Sequence, residues 1–422
     1  MNVPLFNQSK QYVERVVEVV NNAKFSIYLH KKVTNFIIKY DSRYYNEQQA
    51  KFIQNPDKYL SNEATDNKAS LDLLSEKLPW RFVVKTVFKF FVHQLFIFIG
   101  RIDRTFYSYS KSSIIRKSYV EDVEGLFDNN CRSVVRVVFP FPLSVKRQIS
   151  YIKYLKNNGK KYILDGCRYS LTDLCKFTYQ RNASSYIRLE TRAQIRSAMF
   201  HLRAFNLVSV QCSDEYDFGS IFYAKYMLRH DVSVHNSAHG VGKYLPYHSY
   251  SSFSVLTHSQ LEFYKNFNPN TEFNIRNIQL NAQSRVPVKG VCFIFLGQYS
   301  NSAPALIKSY EISVLEILEM LSKKHPCVNF MYKKHPNNYS FDRSLYKNII
   351  LLSGVPKADD NAKLVQFSFY STCHIDPNFE GEKFLIQTDL IRPQIVFGES
   401  ADIVKLNMLS EKISNIIELK LI

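Results

Sequence analysis

The chain has 422 residues, 45% of them hydrophobic, and carries 55 Lys and Arg against 37 Asp and Glu, a formal charge of +18. With only 12 Gly and 14 Pro, the composition excludes a disordered or collagen-like chain, and the length exceeds the roughly 250–300 residues that one hydrophobic core supports, so two domains are expected. The positive excess points to a polyanionic partner: nucleic acid, anionic lipid headgroups or a diphosphate-linked substrate.

Residues 1–128 are rich in Lys, Tyr, Phe and Asn and read as a basic, helical N-terminal region without alternating strands. Its first 30 residues lack the basic-then-apolar order of a signal peptide. The seven cysteines are scattered with no C-x-x-C pair, which predicts reduced thiols in a cytoplasmic protein. The segment Phe82–Gly100 is marginal as a spanning helix, because Lys85, Lys89, His93 and Gln94 interrupt the ~20 apolar residues a span needs. Two readings fit it: a helix resting on an anionic leaflet, or a buried helix whose lysines reach solvent.

From Ser133 the pattern changes to a β-branched run, Ser133–Phe139, then apolar residues at helical spacing over Ser144–Asn157, then a strand Lys161–Leu164 closing on Asp165-Gly166. A helix Arg192–Leu202, strand Leu207–Gln211, helix Phe218–Leu228 and strand Val232–His235 follow, an alternation that predicts a parallel sheet over residues 129–270. Asn268–Arg285 is polar and patternless and reads as a linker. Beyond it the expected elements are strand Gly290–Leu296, helix Ile307–Ser322, strands Val328–Tyr332 and Asn348–Leu352, a short helix Asp360–Val365, strands Gln366–Tyr370 and Gln394–Phe397, and helix Ala401–Leu419. The predicted fold class is α/β: two Rossmann-like domains, 129–270 and 286–422, facing a central cleft behind a helical extension.

Three clusters fall at predicted strand exits. His239-Gly240-Val241-Gly242 follows the strand Val232–His235, where an imidazole near its ordinary pKa of ~6.5 can deprotonate an acceptor hydroxyl and glycines let amides approach a ligand. Lys333-Lys334-His335-Pro336 follows Val328–Tyr332; Pro336 holds His335 extended, where it can stabilise charge on a departing phosphate, and Lys333 adds a point charge. Ser371-Thr372 follows Gln366–Tyr370 as a phosphate cradle or a simple cap. Four weaker candidates are carboxylates: Glu380 for ribose hydroxyls, and Asp214-Glu215 or Asp165 as an alternative base or a partner that orients His239.

The order His239-Gly240, Lys333-x-His335-Pro336, Ser371-Thr372 resembles bacterial surface-polysaccharide transferases of the GT-B fold. The first two sites match the H-G and K-x-H-P sites of CDP-glycerol glycerophosphotransferases, whereas Ser368-Phe369-Tyr370-Ser371-Thr372 lacks the acidic residue of their T-D-Y-S-S site. His335-Pro336 and Ser371-Thr372 match the H-P and S-S/T sites of bacterial sialyl-, polysialyl- and Kdo transferases. The resemblance implies inverting transfer of a CMP-activated sugar to a glycan or lipid-linked acceptor, with His239 or a nearby carboxylate as base, His335 stabilising the departing CMP, and Gly240, Ser371 and Thr372 lining the donor site. No D-x-D motif is present, so no metal or other cofactor is expected. The basic N-terminal region predicts peripheral association with an anionic inner-membrane leaflet from the cytoplasmic side. The rival readings are a nucleic-acid-binding protein, using basic grooves and some of the 28 Tyr and 32 Phe for stacking, and a non-catalytic assembly scaffold. Against the first, the aromatics fall in apolar periodic segments and no recognised nucleic-acid motif occurs, so no nucleic-acid partner is expected.

Overall fold

The computed structural model describes residues 10, 77–102, 112–116, 132–138, 145–159, 162–212, 218–238, 240–242, 248–276, 285–299, 305–335, 343–359, 362–377, 379–398 and 401–421. Most of the expected N-terminal helical region therefore lies outside the described residues. The chain builds α1 (Trp80–Ile102), β1 (Ser112–Arg116), β2 (Arg132–Val138), α2 (Val145–Asn157), β3 (Tyr162–Asp165), α3 (Leu171–Gln180) and α4 (Ala183–Ala204). It continues through β4 (Leu207–Cys212), α5 (Phe218–Leu228), β5 (Ser233–Ser237), β6 (Ser252–Val255), α6 (His258–Lys265) and β7 (Glu272–Ile275). These strands form one parallel sheet of order β3-β2-β1-β4-β5-β6-β7.

The remaining elements are β8 (Arg285–Val288), β9 (Val291–Leu296), α7 (Ala305–Lys324), β10 (Asn329–Lys333), β11 (Ile350–Leu351), β12 (Val355–Ala358), β13 (Lys363–Ser368), β14 (Glu382–Gln387), α8 (Pro393–Phe397), β15 (Ile403–Lys405) and α9 (Leu409–Leu421). Six of their strands form a second parallel sheet of order β11-β10-β9-β13-β14-β15, and β8 pairs with β12 beside it. In both sheets the chain runs outward from the centre on one side, then returns and runs outward on the other, the doubly wound order that opens a crevice where the direction reverses. The two-Rossmann α/β architecture expected from the sequence is present.

Burial explains why the second sheet forms where it does. Every residue of β9, Val-Cys-Phe-Ile-Phe-Leu, is buried, as a central parallel strand covered on both faces demands. Phe293, Phe295, Phe330, Phe367 and Phe384 fill one face with Leu315, Leu318 and Ile413 of the covering helices, while Ile294, Met331, Leu364 and Phe379 fill the other. In the first domain α3 and α4 start where Ser170 and Asn182 accept hydrogen bonds from the Asp173 and Ser185 amides.

Several sequence expectations change. Ser112–Arg116 is a strand at the heart of the first sheet, so the segment before residue 129 is not purely a helical extension; β1 is identifiable only from its pairing with β2 and β4. The linker is shorter than expected, because Glu272–Ile275 pairs with β6. Residues 363–365 are strand rather than helix, since β13 is needed between β9 and β14. Gln394–Phe397 is helical: Pro393 occupies its first turn, where the fixed φ suits a helix start. Ile403–Lys405 pairs with β14 before α9 begins, so the final helix is shorter. Phe82–Gly100 is one helix docked through Val83, Phe90 and Ile97 on the first domain.

Candidate functional site

Gly240 lies at the exit of β5 and Thr372 at the exit of β13, in different domains, yet a Cβ added at Gly240 would stand 4.0 Å from Thr372 Oγ1. The exits of these two strands therefore meet, and two motifs more than 130 residues apart in sequence form one locality. The contact between domains extends through α8, whose Val396 sits in the first domain's core. Thr257 Oγ1 donates to the Val396 carbonyl at 3.5 Å and Ser259 Oγ to the Ile395 carbonyl at 3.3 Å.

On the first-domain side, a residue overlooked in the sequence shapes the Gly240 loop. The fully buried Gln260, in the first turn of α6, donates its side-chain amide to the Gly240 carbonyl at 2.8 Å and the Gly242 carbonyl at 2.7 Å, while its oxygen accepts from the Leu256 amide at 2.9 Å. Both carbonyls thus face inward. His239, Asp214, Glu215 and Pro336 lie outside the described residues. Asp165 is not an open base: it is buried, with His201 Nε2 at 2.8 Å and Arg168 Nη2 at 3.3 Å.

On the second-domain side, Ser371 is buried and its hydroxyl accepts the Cys373 amide at 3.2 Å, so it caps the 3-10 turn Thr372–Ile375. That is the capping role considered from sequence, and it leaves the hydroxyl proton to donate. Thr372 is half-buried toward Gly240. Lys383, from the neighbouring strand β14, donates to the His374 carbonyl at 3.2 Å and the Asp376 carbonyl at 2.9 Å, which fixes the turn from below. Burial holds the Lys383 ammonium below its ordinary pKa. Lys333 ends β10, and its charge reaches Cys373, whose thiol burial nonetheless pushes up. His335 is half-buried two residues beyond the strand.

The crevice at the reversal point of this sheet lies between β9 and β13. Its β9 rim, Gly297-Gln298-Tyr299, was not anticipated. The Glu311 carboxylate accepts the Gln298 and Tyr299 amides at 2.8 Å each, and Tyr332 donates its hydroxyl to the same carboxylate. Glycine is required at 297, because a Cβ there would stand 2.7 Å from the Tyr332 ring and 2.9 Å from Glu311. The available signal was a lone Gly closing an apolar strand with a Glu in the second turn of α7.

Strand register places Glu380, the expected ribose contact. It precedes β14, and β14 begins opposite Val365, so Glu380 lies at the strand-entry edge of the sheet while Thr372 lies at the exit edge. Its backbone carbonyl accepts from the Gln366 side-chain amide.

One buried and one half-buried imidazole give the protein an acid-side limit. His248 packs between Tyr250, Phe253 and Tyr264, with ring centroids 4.8–5.0 Å apart, and burial pushes its pKa down to about 3. His374, packed on Phe397, is lowered to about 4 by burial and then by Lys383. Unfolded imidazoles take protons near pH ~6.5, so the unfolded state binds more protons in this window. Stability is therefore complete above about pH 6.5 and falls as pH drops toward 4, by up to ~1.4 kcal/mol per unit for each ring. Urea midpoints measured across this range should show the slope, and His248→Phe should flatten it; an unchanged slope would place the titration elsewhere.

No protein-family profile matches the sequence, and no curated protein matches it. Among solved structures the chain is similar to UDP-GlcNAc 2-epimerase from Neisseria meningitidis bound to UDP-GlcNAc, with a TM-score of 0.45 and 13% identity over 73% of this chain and 91% of that one. It is also similar to MurG from Acinetobacter baumannii, with a TM-score of 0.41 and 10% identity over 74% and 90%. A UDP-forming α,α-trehalose-phosphate synthase from Burkholderia xenovorans gives 0.38 and 10% over 74% and 90%. Similarity at this level assigns no activity.

Proposed function

We propose that this protein is a glycosyltransferase that moves a sugar, with inversion, from a CMP-linked donor to a glycan or lipid-linked acceptor of a bacterial surface polysaccharide. The observation that carries the reading is the approach of Gly240 to Thr372 Oγ1, which joins the exit of the proposed acceptor strand to the exit of the proposed donor strand. An acceptor hydroxyl oxygen would attack the anomeric carbon and lose its proton to His239. The bond from that carbon to the phosphate oxygen would break, leaving its electron pair on CMP. His335 and Lys333 would stabilise the charge on the departing phosphate, and the Ser371 and Thr372 hydroxyls would hold it. None of these steps draws on a metal.

The test is ligand-induced stabilisation. Melting in the presence of CMP, CDP, UDP or GDP should rise most with CMP, by roughly 2.7 kcal/mol of stability at a hundredfold excess over Kd, and His335→Ala should remove that rise. Preference for CDP would move the reading to polyol-phosphate transfer, and no response to any nucleotide would defeat it.

A further inference from the structure

Helix α1 is apolar over most of its circumference, and among the described residues one side of it is buried. Val83, Thr86, Phe90, His93 and Ile97 are buried against the first domain. There Phe90 and Val83 pack with Tyr169, Leu174, Phe177 and Leu189, the His93 ring accepts the Cys167 amide at 3.0 Å, Gln94 donates to the Tyr169 carbonyl at 3.1 Å, and Lys89 pairs with Glu190 at 3.0 Å. The opposite side presents Val84, Phe88, Phe91, Leu95 and Phe98, each 54–69% exposed and spaced four, three, four and three residues apart. That spacing forms one continuous stripe along the helix.

From this stripe we infer that α1 is a membrane seat: its outer face lies in the interfacial region of an anionic phospholipid leaflet, with its axis in the leaflet plane. The charge pattern selects lipid over a second copy of the chain. Arg81 and Lys85 are exposed along one flank of the stripe, and the helix from Trp80 to Ile102 contains no Asp or Glu. Two copies packed stripe to stripe would bring these cations together with no carboxylate on the helix to offset them. Anionic headgroups complement them instead, each cation near such a surface adding attraction. Trp80 and three exposed Phe are side chains suited to the headgroup boundary. Although α1 is long and apolar enough to cross a bilayer, spanning would tear the His93, Gln94 and Lys89 contacts from the first domain and bury those polar groups in hydrocarbon.

Trp80 is the one tryptophan of the chain and begins this helix, 61% exposed, so its emission reports on the seat. The full-length protein should co-sediment with phosphatidylcholine vesicles containing phosphatidylglycerol, far less with phosphatidylcholine alone, and its emission should shift to the blue and be quenched by brominated lipid. Phe88→Ser with Phe91→Ser and Leu95→Ser should abolish binding while leaving the melting transition in place. Arg81→Gln with Lys85→Gln should weaken binding roughly thirtyfold, from about fivefold per cation. Absent binding, binding undiminished in the triple variant, resistance to alkaline extraction, or a Trp80 emission already blue and indifferent to lipid would each overturn the inference. A concentration-dependent dimer that the triple variant abolishes, without lipid binding, would assign the face to a second copy. Vesicle binding needs neither donor nor acceptor, so its failure would leave the transferase reading standing.

Discussion

Glu311→Ala is expected to lower stability by about 3 kcal/mol or more and to abolish nucleotide-induced stabilisation. The carboxylate is buried and holds two backbone amides and a tyrosine hydroxyl at the rim of the crevice. Removing it leaves those donors without their acceptor, at roughly 1–3 kcal/mol for each buried group that finds no replacement. A domain stable by only about 5–15 kcal/mol would register that loss in a urea titration. Two milder changes separate its parts. Tyr332→Phe deletes the hydroxyl but leaves both amides bonded, so it should cost about 1 kcal/mol and keep nucleotide binding. Glu311→Gln retains one acceptor oxygen and should fall between the two. If Glu311→Ala lost stability yet bound CMP like the wild type, the Gly297–Tyr299 rim would not line the donor site.

The second large effect belongs to His335. If it stabilises charge on the departing CMP, His335→Ala should lower kcat by roughly a hundred- to a thousandfold with little change in KM for the acceptor, because the interaction is made to the leaving phosphate and not to the acceptor. His325 supplies the control: it sits between α7 and β10, at the strand-entry edge of the same sheet, so His325→Ala should leave turnover unchanged. Equal losses in both variants would indicate damage to the sheet rather than to the site. Turnover here means release of CMP from CMP-linked donors in the presence of glycan acceptor.

Long, strongly apolar elements were legible in the sequence. β9, α7 and β10 appear within one or two residues of their expected bounds because their periodicity is uninterrupted. Short elements were not. Ser112–Arg116 is Ser-Ser-Ile-Ile-Arg, too brief to show a period, and it becomes the first strand of a sheet only by pairing on both sides. The apolar run Gln394–Phe397 cannot distinguish strand from helix by pattern; Pro393 and the first-domain pocket that receives Val396 select the helix. Gln260, Glu311 and Lys383 carry no motif, and their importance arises from what they hold in space.

The sequence alone determined that strands and helices alternate, hence that the sheets are parallel, and that a Gly, a Lys-x-His and a Ser-Thr pair each follow a strand. Those are local properties, set by side-chain periodicity and by residues that end strands. Tertiary structure decided which strand exits meet. Thr372 is brought to Gly240, whereas Glu380, only eight residues later, is carried to the other edge of the sheet, since a parallel neighbour must begin where its predecessor began. It also decided which side of α1 is buried. A helix with apolar residues on two opposite sides has no single preferred face of its own, and the shape of the surface formed by Tyr169, Phe177 and Leu189 selects Val83 and Phe90 for the core and leaves Phe88 and Phe91 exposed.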